Sequence, residues 1–310
     1  DNENLTTIGD DAFANCSKLK SFNFANLLFI GANAFANCES LTTINLTEGL
    51  TTIGDYAFSR ITLKSFTIPN SVTDLGKNIL YGAPYLEDIN YSGNGNYTTI
   101  DGVLYNKDLT EIISYPANKS RYEYTIPSSV SIIGARAFAY SQNLSSLYVT
   151  DAVTIIDDEA FYRSSVSNLT LISKGEYGFD EYTTRLPKYL EYLGDYAFYA
   201  CEKLEKITIK ATTPPTLGEY AFYNDVRLET VDLSSLNTAN ITQGSHSNYY
   251  GSCGIYEMFR GCKSLKTIDI FDSETSNVSI SSLFLSINLI TFWIASLFLI
   301  MPFPIIDILE

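Results

Sequence analysis

Histidine occurs once in the 310 residues, at His246, and cysteine occurs five times with no C-x-x-C pair. That inventory leaves no zinc spacing and too few, oddly numbered cysteines for a disulfide scaffold. The histidine lies in the polar stretch Gln243-Gly-Ser-His-Ser-Asn-Tyr-Tyr250. Its flanking serines are neighbours only in sequence, and a nucleophile, base and orienting acid must be placed by a fold, so a surface loop accounts for it. The phosphate-loop, nucleophile-elbow, H-E-x-x-H and calcium-loop patterns are missing. Gly93-Asn-Gly-Asn96 has no strand-to-helix context, so it is a flexible turn rather than a phosphate cradle. The expectation is therefore a non-enzyme with no catalytic residues, no metal and no cofactor. Basic residues are scarce as well: 20 against 35 acidic ones, a net charge of −15 that repels nucleic acid and anionic membrane surfaces. Neither an initiator Met nor a charged-then-apolar leader stands at Asp1, so any signal peptide is expected to have been removed or to lie upstream.

Hydrophobic residues make up 45% of the chain, enough to bury a core, and aromatics reach 14% with 23 Tyr and 18 Phe. Much of the aromatic content recurs at a fixed position. Leu5-Thr-Thr-Ile-Gly-Asp-Asp-Ala-Phe13 returns as Leu27 to Phe35 and as Leu50 to Phe58, then at Val130 to Phe138, Val153 to Phe161, Leu190 to Phe198 and Thr213 to Phe222, with a degenerate copy at Val72 to Leu80. Each copy has a second half in which a leucine precedes two alternating apolar residues, as at Leu19/Phe22/Phe24, Leu41/Ile44/Leu46, Leu63/Phe66/Ile68 and Leu204/Ile207/Ile209. Alternation of period two puts those apolar residues on one face of a strand, so stacked copies build a parallel sheet with one buried face. Repeats of 22 to 24 residues, stacked because one copy cannot bury its apolar side chains alone, describe a leucine-rich-repeat solenoid. It is expected as a right-handed coil, α/β or mainly β, with a parallel sheet on one face. The glycine after the repeat isoleucine (Gly9, Gly31, Gly54, Gly76, Gly134, Gly194, Gly218) suits a turn of positive φ.

The organisation follows from these copies: repeats over 1–92, an insertion over 93–129, repeats over 130–235 with a polar loop at 174–187, a polar loop and variant repeat over 236–280, and an apolar segment over 281–310. In the insertion, Gly102-Val-Leu-Tyr105 and Glu111-Ile-Ile-Ser-Tyr115 flank Asn106-Lys-Asp108 as the arms of a hairpin. Solenoid insertions emerge on one face, often the binding face. Cys16, Cys38, Cys201 and Cys262 each follow a repeat Phe by three residues, which predicts small buried core residues at one corner. Cys253 is out of register, and its pairing with Cys262 is left open.

The signature I-G-x-x-A-F-x-x-C-x-x-L, seen from Ile8 to Leu19 and from Ile30 to Leu41, resembles that of the BspA-like leucine-rich-repeat surface proteins of bacteria and some protists. Asp101-Gly-Val-Leu-Tyr105 with Tyr115-Pro116 and Thr125-Ile-Pro127 looks like an insert common in that family, and Ala211 to Gly218 like its late-repeat variant. From Met258 the chain resembles a second repeat type often appended there. After Phe284 the pattern stops, and residues 283–306 form a charge-free run long enough to span a bilayer as a helix. Membrane contact, if any, is expected only there. The readings are a membrane anchor, against which speak Pro302, Pro304 and the lack of flanking Lys or Arg, or a disrupted repeat, whose apolar residues close the solenoid as a capping element or become disordered.

The resemblance implies an extracellular or cell-surface adhesion protein with a host protein, matrix component or other cell-surface macromolecule as partner. The rival is a structural spacer that holds another domain off the membrane. For the adhesive reading the candidate partner-binding residues are the outward strand positions Asn23, Asn45, Thr67, Asn90, Tyr148, Thr170, Thr208 and Asp232, a polar, nearly uncharged row with Tyr148 as its aromatic anchor.

Overall fold

The computed structural model describes residues 4–93, 95–171, 183–209, 211–213, 215–237, 258–271 and 278–281. The elements delimited among them are all β-strands, so the coil is the mainly β alternative. His246, Cys253 and the apolar run 283–306 lie outside the described residues.

Each turn of the coil contributes to three walls. The first consists of two-residue strands ending at the repeat Ile or Leu: β1 (Thr7–Ile8), β2 (Phe29–Ile30), β3 (Thr52–Ile53) and β5 (Asp74–Leu75) in one parallel sheet, then β11 (Ile132–Ile133), β13 (Ile155–Ile156), β16 (Tyr192–Leu193) and β18 (Thr216–Leu217) in another. The second wall holds the longer strands. Here β4 (Ser65–Ile68) pairs with β6 (Asp88–Tyr91), and β12 (Ser146–Val149) lies between β10 (Glu123–Thr125) and β14 (Asn168–Leu171). A third group runs β15 (Thr183–Leu186), β17 (Lys206–Ile209), β19 (Thr230–Asn237) and β20 (Thr267–Phe271), all parallel, with β21 (Val278–Ser281) antiparallel at its edge. The predicted alternation is strict in β4, where Ser65 and Thr67 are exposed while Phe66 and Ile68 are buried, but not in β17, where Thr208 is buried along with Ile207 and Ile209. In the first two coils, residues 21–24 and 43–46 form no strand, so the predicted sheet starts only at the third coil.

The third wall is the turn that carries the repeat Ala-Phe pair. It has no regular strand, yet successive coils are stitched through it by main-chain bonds. Asp11, Phe13 and Asn15 donate to the carbonyls of Ala32, Ala34 and Ala36 at 2.7–2.8 Å, and Asn33, Phe35 and Asn37 to those of Asp55, Ala57 and Ser59. Alternate N–H groups can all point at the next coil because two residues per turn take left-handed φ, for example Asn33 (54°) and Asn37 (60°), Tyr196 (54°) and Ala200 (54°). Asn accepts this conformation more readily than most residues, and Gly82 and Gly261 take the same place in their coils at φ 69° and 83°.

The repeat glycines after Ile are a correction to the sequence reading: none of them has positive φ. They are small for another reason. A Cβ on Gly54 would sit 2.5 Å from the Ala32 nitrogen of the preceding coil, and one on Gly76, Gly194 or Gly218 would likewise meet backbone. At Gly9, in the first coil, a Cβ meets nothing within 4 Å. The position therefore limits how closely coils stack. Asp157 fills it in one coil, and its carboxylate accepts the N–H of Asp158 at 2.8 Å.

Inside, the repeat phenylalanines stack ring on ring. Phe13, Phe35 and Phe58 form one column, and Tyr115, Phe138, Phe161, Phe198, Phe222 and Phe259 another, with centroids 4.8–5.5 Å apart. The cysteine corner behaves as predicted at Cys38 and Cys201, which are fully buried and donate from Sγ to the carbonyls of Phe13 and Phe161 at 3.1 Å. Cys16 is exposed, because no coil precedes its own in the described stack, and Cys262 is only partly buried.

All three walls break at one place. Between Leu80 and Phe138 the chain forms an antiparallel meander, β7 (Tyr97–Ile100), β8 (Val103–Asn106) and β9 (Glu111–Ser114), and β9 then pairs in parallel with β11. The expected hairpin is thus present with one more strand. It does not project from the solenoid. Val103, Leu104, Tyr105, Ile112 and Tyr115 are buried, so the insert takes the place of a coil. The buried side chains accordingly fall into two clusters, one from Ile8 to Leu104 and one from Val103 to Ile268.

Candidate functional site

The predicted partner-binding row is present as three separate pieces. Thr67 stands beside Asn90 in the β4/β6 register, Tyr148 beside Thr170 in β12/β14, and Thr208 beside Asp232 in β17/β19. Asn23 and Asn45 are exposed but lie in the strandless first coils, and the Asn23 side chain is used locally, accepting the Ala25 N–H at 3.0 Å. Thr208 is a correction: it is 8% exposed, too buried to anchor a partner. The register adds two positions that the repeat pattern missed, Thr125 on the other side of Tyr148 and Arg185 beside Thr208. Both belong to coils whose signature is degraded by insertions. Tyr148 is half-buried, and burial followed by the nearby Glu123 carboxylate raises its phenol pKa above the ordinary value. It remains a neutral hydroxyl at any physiological pH.

A second surface, absent from the sequence reading, lies on the Ala-Phe wall. Eight half-buried tyrosines form an unbroken chain of ring contacts across it: Tyr56, Tyr81, Tyr140, Tyr162, Tyr199 and Tyr223 in sequence, joined by Tyr196 and Tyr220. Tyr162, Tyr199 and Tyr223 each follow the repeat Phe directly, and this was the available signal. Tyr196 and Tyr220 occupy the first left-handed position of their coils. The corresponding residues of the second coil are Asn33 and Ala36, so the N-terminal wall has no such rings.

Where the coils part at the insert, a cavity of about 240 Å³ opens, lined by Lys77, Asn78, Tyr81, Tyr97, Glu111, Tyr115 and Arg136 among others. Among the described residues, the N–H groups of Asn78, Leu80 and Gly82 find no acceptor in the next coil, unlike their equivalents elsewhere. Side chains bridge the gap instead. Arg136 makes a two-pronged ion pair with Glu159, donates to the Tyr56 hydroxyl, and lies 5.1 Å from the Tyr81 ring centre. Asn78 is the third group at this seam: with its amide oxygen and nitrogen exchanged, it donates to the Ala135 carbonyl at 3.1 Å and accepts from Arg136 at 3.3 Å. Burial, then the Asp157 charge, raises the Glu111 pKa, with Lys77 opposing. Arg136 is thus engaged by its own chain, through Glu159, the Tyr56 hydroxyl and the Tyr81 ring. Among the described residues, no three His, Cys, Asp or Glu side chains are placed to hold a metal ion, and no helix is long and apolar enough to cross a membrane.

The model for the BspA type leucine-rich repeat region matches six copies, over residues 6–123, 113–183 and 177–300. A leucine-rich cell surface protein of Faecalibacterium prausnitzii is similar at 23% identity and TM-score 0.66, over 87% of this chain and 71% of that one. A leucine-rich repeat protein of Eubacterium ventriosum is similar at 29% identity and TM-score 0.67, over 86% and 64%. The pneumococcal vaccine antigen PcpA is similar at 23% identity and TM-score 0.59, over 86% and 60%. The chain thus spans between three fifths and about seven tenths of these structures. No curated protein matches it.

Proposed function

Because this chain belongs to the BspA type leucine-rich-repeat family, we propose that it is a non-catalytic binding module, at the cell surface or secreted, that engages a host protein, a matrix component or another cell-surface macromolecule. The observation that carries this reading is the register of the longer strands. Tyr148 is held between Thr125 and Thr170 by main-chain pairing on both sides, so the backbone that carries this aromatic anchor is fixed before any partner arrives. The F. prausnitzii relative described as a cell surface protein supports the location.

The test is a binding screen of the whole chain against immobilised matrix proteins and host-cell surfaces. Saturable binding is expected, and Asn90→Ala/Thr125→Ala/Tyr148→Ala is expected to weaken it about tenfold, the loss typical of an interface anchor. Unchanged affinity in that variant would make the face inert. No saturable binding by a cooperatively folded sample would favour a spacer.

A further inference from the structure

The tyrosine ribbon is a different surface from the strand face, on a different wall, and its chemistry is more specific. Tyr162, Tyr199 and Tyr223 stack with centroids 4.6 and 5.4 Å apart, and Tyr196 stacks on Tyr220 at 5.0 Å. The two columns touch through T-shaped contacts at 5.8 and 5.6 Å, so Tyr196, Tyr199, Tyr220 and Tyr223 form a block of four rings on two successive coils. Rings locked to each other lose little freedom on binding, which makes such a block a low-cost anchor.

The ribbon already hosts guanidinium groups. Arg136 lies 5.6 Å from the Tyr56 ring centre while donating to the Tyr56 hydroxyl, and Arg163 lies 5.6 Å from that of Tyr162. Arginine suits this surface because its plane packs on an aromatic ring while its N–H groups reach a phenol oxygen. The wall beside the block is acidic. Asp158, Asp195 and Glu219 stand on successive coils, where the first two also cap the N–H of the next coil, at Asp195 and Glu219. Tyr196 feels these charges: burial raises its pKa, and the neighbouring Tyr220, Asp195 and Glu219 raise it further. With a chain charge of −15, the long-range field also draws cations.

We propose that the block Tyr196/Tyr199/Tyr220/Tyr223, with Asp195 and Glu219 beside it, is a docking surface for an arginine-rich polypeptide segment of a partner protein. The proposal rests on the reading of the chain as a binding module but not on the strand face.

The probe is a fluorescent nona-arginine peptide, with nona-lysine as control, titrated against the whole chain at about 0.15 M salt, where long-range attraction is largely screened. Nona-arginine is expected to bind at least about fivefold more tightly than nona-lysine, since lysine offers charge without a stacking plane. The variant Tyr196→Asn/Tyr199→Ala/Tyr220→Asn/Tyr223→Ala gives these coils the residues found at the same places in the second coil, Asn33 and Ala36, and keeps the net charge. It is expected to bind nona-arginine about tenfold more weakly. A milder pair, Tyr199→Ala/Tyr223→Ala, serves if the fourfold variant melts early, and Glu219→Gln separates the acidic contribution. Equal affinity for the two peptides, or unchanged affinity in the ring-deleted variants, would overturn the proposal by reducing the attraction to net charge. Neither result would touch the strand-face reading, which is tested with other residues and other partners.

Discussion

The Asp225 carboxyl is fully buried at the corner that other coils fill with cysteine, three residues after Phe222. Its Oδ1 accepts the Cys201 N–H at 2.7 Å, while its Oδ2 has no partner. Burial raises its pKa well above 3.8, and the Cys201 N–H offsets this only in part. A raised acid pKa means that the folded state holds the proton more tightly than the unfolded chain. The associated stability is fully present below about pH 3.8 and is lost as pH rises through the folded-state value. Asp225→Asn keeps an acceptor for Cys201 and removes the titration. It is expected to stabilise the protein at pH 7 by about 1–3 kcal/mol and to be nearly neutral near pH 3, read from urea melts at both pH values. Equal stability changes at the two pH values would mean that the carboxyl is solvated.

At the scale of one coil, the Ile-Gly strand and the turn after it are limited by how closely neighbours approach. Gly54→Ala pushes a methyl group onto the backbone of Ala32, and relief requires the two coils to separate. The expected cost is about 1–3 kcal/mol, the usual penalty of overpacking. The same change at Gly9, where a Cβ meets nothing, is expected to stay within about 0.5 kcal/mol. Melting temperatures of the two variants decide the matter: equal losses would return the explanation to backbone flexibility rather than stacking.

At the scale of the whole molecule, the insert divides a quasi-one-dimensional stack. Nearest-neighbour coupling carries the stability of such stacks, and here the turn-wall bonds are interrupted, the sheets end and the two buried clusters meet. Polar links cross the seam beside the apolar insert: the buried Lys119 to Asp88 at 2.8 Å, Arg136 to Tyr56, the Leu75 N–H to the Tyr97 hydroxyl at 2.9 Å, and the Asn118 N–H to the Leu86 carbonyl at 2.8 Å. Hydrogen exchange followed through urea is therefore expected to show two opening free energies, one for peptides within 27–68 and another for peptides within 130–233. One common opening across both regions would show that these side-chain bridges couple the halves fully.

The repeat period, the inward alternation of pairs such as Phe66 and Ile68, the Phe column and the hairpin arms around Asn106 were all legible in the sequence, because each depends on the polarity and spacing of adjacent residues. Part of the candidate row was legible for the same reason, at Thr67, Asn90 and Tyr148. Contacts between coils were not. Whether Gly54 turns the chain or lets Ala32 approach, why Cys16 is exposed while Cys38 is buried, and why Thr208 is covered all depend on the next coil. The tyrosines of the ribbon come from six coils and from three different repeat positions, and only the stacking of coils brings their rings together. Local pattern determined the coil; the distance between coils decided which of its faces has anything to offer a partner.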